Sequence, residues 1–86
     1  MGAFTVRGGP ETGADRAGAE LVLGSAADRV GARSLRHDPT ENQYAFVVDA
    51  PTAQRAFALV AEVFRPVFGD RWWADVVAVP RFDAAA

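Results

Sequence analysis

The chain has 86 residues, half of them apolar and 23% charged, with a formal net charge of −2. That length fits a single domain, and the composition is that of a folding chain, which excludes an intrinsically disordered one. Cysteine is absent, so disulfides and thiolate metal sites are excluded, and a sequence pI near 5.2 leaves no basic footprint for nucleic acid.

All nine basic residues are Arg, while Lys and Ile are both missing, the bias of GC-rich coding. No apolar run approaches the roughly 18–20 residues that span a bilayer, and no charged-then-apolar leader follows Met1. A soluble, cytoplasmic protein with no membrane partner is therefore the expectation.

Ala3 to Arg7 alternates Phe4 and Val6 with Thr5 and Arg7, the period of a half-buried strand, and Gly8-Gly9-Pro10 is expected to end it. From Asp15 to Val30 the spacing changes. Ala19, Val22, Leu23, Ala26 and Val30 form the stripe of an amphipathic helix, with Thr12 as its cap and Gly31 as its stop. Gly18 and Gly24 inside that helix imply either a weak helix or a close backbone contact.

Ala32 to His37 is a short mixed strand, Asp38 to Asn42 a loop, and Gln43 to Asp49 the strongest strand, so the three make a hairpin. Pro51 suits the first turn of a second helix capped by Asp49 or Thr52, whose apolar residues run from Ala53 to Val67. Pro66 is expected to kink or restart that helix before Gly69 ends it. A last strand runs from Trp72 or Trp73 to Val79 and stops at Pro80.

The order strand, helix, strand, strand, helix, strand predicts an α+β ferredoxin-like βαββαβ sandwich. Its four antiparallel strands carry both helices on one face, with strands one and three central. One domain over residues 1–82 and a frayed tail at 83–86 complete the expectation.

In such a sandwich one sheet face is open. Both sides of the third strand are apolar: Ala45 and Val47 point one way, Tyr44, Phe46 and Val48 the other. A one-sided sheet alternates with polar residues. A homodimer built on the open face or its edge is therefore expected, with Tyr44, Phe46, Val48 and Trp73 as interface residues.

Catalytic constellations are sparse. His37 is the sole histidine, and with Asp38 and Glu41 it reads as a solvated turn and not as a metal site. No cofactor is implied. The turn Gly13 to Gly18 gathers small residues and backbone amides at a helix N-terminus, which favours an anionic group such as a ligand carboxylate. Asp15, Arg16 and Gly18 are the candidate ligand-binding residues. Arg16 offers a charged donor pair, Asp15 caps the helix or receives an ammonium group, and Gly18 leaves space. The alternative is that Gly18 is simply a small residue where helix meets sheet.

Two family resemblances follow from these residues. Tyr44-Ala45-Phe46-Val47 is similar to the aromatic strand motif of RNA-recognition domains, whose exposed aromatics stack bases. Asn42 and Gln43 stand where that family has a basic residue and a glycine, and Asp49 where it has a final aromatic, so nucleic acid is not an expected partner. Asp15-Arg16-Ala17-Gly18, followed by Gly31-Ala32, resembles the helix-start turn and later glycine of small-ligand-binding ACT domains. That resemblance implies dimerisation and an amino-acid-like ligand beside the turn.

The expected function is thus a small non-catalytic regulatory or accessory module that self-associates and binds a small ligand or a partner protein. The alternative is a cofactor-independent dimeric enzyme of the antibiotic-biosynthesis monooxygenase type, which shares this fold. It calls for an apolar cavity of about 300 Å³ or more between helices and sheet, lined by Trp72, Trp73 and the Phe-rich second helix.

Overall fold

A computed structural model describes residues 2–11 and 18–79. Six elements follow in order: β1 (Gly2–Pro10), α1 (Ala19–Arg29), β2 (Arg33–Asp38), β3 (Gln43–Ala50), α2 (Ala53–Phe68) and β4 (Trp72–Ala78). The sheet order is β2-β3-β1-β4 with every pairing antiparallel, so β1 and β3 are central. Both helices pack on one face of the sheet, and the chain has the α+β ferredoxin-like fold.

The core lies between helices and sheet. From the sheet it takes Phe4, Val6, Tyr44, Phe46, Val48 and Ala50; from the helices, Leu23, Ala26, Val60, Val63, Phe64, Val67 and Phe68. Among the described residues no polar or charged side chain is buried. Aromatic rings fill its centre. The Phe64 ring stacks on Trp72 at 5.6 Å and on Phe68 at 6.1 Å, and lies 5.9 Å from Phe46 and 6.5 Å from Tyr44. These spacings are within the range at which ring pairs attract one another beyond simple burial.

Element ends follow local chemistry. Thr52, in extended conformation, caps α2 by accepting the Arg55 amide on its hydroxyl at 3.1 Å. The helix continues through Pro66 to Phe68 with no restart, because Phe64, Val67 and Phe68 anchor that last turn in the core. Gly8 and Gly9 do not end β1 either. They pair with Ala74 and Trp73, and Pro10 pairs with Trp72. A Cβ on Gly8 would collide with the Trp73 carbonyl, and one on Gly9 would lie 2.7 Å from the Asn42 carbonyl oxygen. Glycine lets β1 pass close to both neighbours.

The start of α1 differs from the sequence expectation. Gly18 is its N-cap at φ 76°, with no side-chain cap, and the helix proper begins at Ala19. The predicted cap Thr12 lies outside the described residues, as do Asp15, Arg16, Pro80 and the tail at 83–86. No described atom lies within 4 Å of a Cβ built on Gly18 or on Gly24. Among the described residues neither glycine marks a close approach of another element; Gly18 answers to its left-handed backbone. The two sites therefore respond in opposite directions to alanine. Gly24→Ala should raise unfolding stability by about 1 kcal/mol through helix propensity, whereas Gly18→Ala should lower it by about 1–2 kcal/mol. Urea denaturation of both variants checks the pair.

Candidate functional site

Directly paired strand residues point to the same side of a sheet, so the registers define each face. Tyr44, Phe46 and Val48 point under the helices, where they are 4%, 1% and 0% exposed. The expectation that they form an exposed interface is corrected: the large side chains of β3 fill the helix-covered space, and the smaller Ala45 and Val47 are left for the open face. In β4 the same parity turns Trp72 onto Phe64 and sends Trp73 to the open side, opposite Gly9.

The open face is a lattice of cross-strand rows. Arg33, Val47, Thr5 and Val77 form one row, and Arg36, Ala45, Arg7 and Asp75 the next. Asp38 pairs with Gln43 beyond them, toward the β2–β3 hairpin. Arg33 and Arg36 are three residues apart and would face opposite sides of a regular strand. A bulge between them, with Ser34 at φ 60°, puts both on this face.

Arg33 pairs with Asp49 at 2.8 Å and Arg7 with Asp75 at 3.6 Å, both well exposed. Such pairs stabilise little. Arg36 has no ion-pair partner among the described residues. An open groove of about 790 Å³ lies here, with Ala45 and Gln43 among its lining residues together with Arg7, Arg36, Asp38 and Glu41. Asp38 turns the hairpin by accepting the Thr40 and Glu41 amides on Oδ1, at 2.9 and 3.4 Å. The groove thus offers guanidinium groups and carboxylates around a small, uncharged floor.

His37 also lines the groove, though its ring belongs to the other face. The ring stacks on Tyr44 at 4.4 Å, its Nδ1 lies 3.2 Å from Glu20 Oε1, and its Nε2 lies 3.1 Å from Asn42 Oδ1. Each ring nitrogen thus faces a side-chain oxygen, and a singly protonated ring donates to one of the two. Glu20 stands in the first turn of α1, so this contact brings the start of that helix to the groove end of the sheet. Among the described residues no group of three His, Asp or Glu side chains is placed to hold a metal ion.

Of the candidate ligand residues, Gly18 is exposed at the start of α1, and Asp15 and Arg16 lie outside the described residues. Sequence reasoning missed Arg7 and Arg36. With Asp38 read as loop, the hairpin would set Arg36 opposite Tyr44, whereas the observed pairing of Asp38 with Gln43 brings Arg36 to Ala45.

The corrected position of Phe46 changes what its substitution does. Phe46→Asp should abolish cooperative unfolding rather than release a folded monomer. Losing a buried Phe costs about 3–5 kcal/mol, and a buried carboxylate adds to that, against a total of roughly 5 kcal/mol at the low end for a small domain. Thermal melts followed by circular dichroism check this.

No protein-family model matches this sequence and no curated protein matches it, so its functional reading rests on the groove and the fold that holds it.

Proposed function

We propose that the protein is a small non-catalytic binding module whose open-face groove takes a zwitterionic, amino-acid-like ligand. The observation that carries this reading is Arg36, a guanidinium without an ion-pair partner among the described residues, in one groove with Asp38 and Glu41. A ligand carboxylate meets Arg36, and its ammonium group meets the carboxylates of Asp38 and Glu41. The resemblance of the Asp15-Arg16-Ala17-Gly18 turn to ACT domains supports the same ligand class, and Glu20 brings the start of α1 to this end of the sheet.

Two features support binding over catalysis. The only histidine is held against Tyr44 by ring stacking, with the Glu20 and Asn42 side-chain oxygens beside its two nitrogens. The space where a monooxygenase of this fold keeps its cavity is occupied by Phe46, Phe64, Phe68 and Trp72. A regulatory or accessory role fits a module of this kind.

Isothermal titration and thermal shift with a panel of amino acids test the reading. Ligand at about 100 times its Kd should add roughly 2.7 kcal/mol, a rise of several degrees in Tm. Arg36→Ala should remove that shift and leave the ligand-free Tm unchanged. If no amino acid moves the Tm at millimolar concentration, or if amines and acids lacking the second charge bind equally well, the zwitterion reading fails.

A further inference from the structure

The two edges of the sheet are unlike. β2 is blunted by its bulge, by Ser34 at φ 60° and by two exposed arginines, the devices that keep an edge from pairing. β4 has none of them. Its sequence, Trp72-Trp73-Ala74-Asp75-Val76-Val77-Ala78, holds one charge, and Arg7 already pairs with it. The Val79 amide donates to the Ala3 carbonyl at 2.9 Å and the Glu11 amide to the Arg71 carbonyl at 3.0 Å. In an antiparallel ladder this alternation turns the odd-numbered backbone groups of β4 toward β1 and the even-numbered ones outward. Trp72, Ala74, Val76 and Ala78 therefore present N–H and C=O groups along an edge that pairs only with β1 among the described residues.

Exposed apolar surface gathers on the same edge. Five large apolar side chains are exposed among the described residues, and three of them border it. Val77 (62%) and Val79 (41%) are on the sheet side; Phe57 (45%) overhangs from α2 against Trp72, ring centroids 5.6 Å apart.

We infer that β4 pairs antiparallel with β4 of a second copy of this chain, joining two sheets into one of eight strands. Residues 73 to 79 are centred on Val76, and a two-fold axis there sets Ala74 against Ala78, Trp73 against Val79 and Asp75 against Val77 of the second copy. An axis through Asp75 would set like charges directly opposite each other, which destabilises a strand pair. In the Val76 register Asp75 faces an apolar neighbour and keeps its own Arg7. The groove lies toward the β2 edge and takes no lining residue from β4, so this inference does not rest on the ligand reading.

The register makes the test specific. Val77 is exposed, so its substitution leaves the core intact, which circular dichroism melts verify. Opposite Asp75 of the second copy, Val77→Asp should raise the dimer dissociation constant at least about tenfold, and Val77→Lys should leave it unchanged or lower it. Sedimentation equilibrium of wild type at tens of micromolar should give twice the 9.1 kDa chain mass. A monomeric wild type, an oligomer indifferent to Val77→Asp, or a loss with Lys as great as with Asp would each overturn the inference.

Discussion

The packing of Phe64 against four other rings is the constraint on which the rest of the structure depends. Trp72 and Phe68 stack on it, and Phe46 and Tyr44 lie against it from β3. Ring pairs with these separations have preferred relative orientations, so the cluster also sets the rotation of α2 on the sheet. It fixes strand parity as well. With Phe46 and Tyr44 under the helix, every odd residue of β3 must face the other side, and with Trp72 inside, Trp73 must be out. Since parity in a strand is all or none, one aromatic cluster decides the chemistry of both faces.

The fold was legible because its signals are local. The stripe at Ala19, Leu23 and Ala26, the run from Ala53 to Val67 and the β-branched segments each state their own period, and the βαββαβ order then leaves one economical architecture. Facing was not legible in β3. Periodicity separates Tyr44, Phe46 and Val48 from Ala45 and Val47, but when both sets are apolar it cannot say which set meets the helices. Bulk decides it: a sheet covered by only two helices needs its larger side chains inward to reach them. The same volume argument applies to Pro66, where burial on either side of the proline outweighed the hydrogen bond it removes.

The candidate groove was harder to read because it assembles across strands. Arg7 and Arg36 come from β1 and β2, and they flank Ala45 only through the registers of two separate pairings. The bulge at Ser34 hides the relation further, since simple alternation places Arg33 and Arg36 on opposite sides. A residue in the left-handed region cannot be deduced from a serine in a short mixed strand. The turn before α1 was easier to notice, being contiguous in sequence, yet its glycine answers to backbone geometry and not to crowding. Contiguity makes a motif visible; it does not make it the place where charges converge.

Gly8 and Gly9 bear on the history of this protein. Their missing side chains are what the Trp73 and Asn42 carbonyls approach, so any replacement must displace β4 or the hairpin loop. Surface arginines can drift, and aliphatic core residues can exchange among Val, Leu and Ile with modest loss. The paired glycines have no such substitutes. Lineages that diverge until their overall similarity is lost should still carry Gly-Gly at the end of the first strand, with an aromatic-rich last strand opposite it.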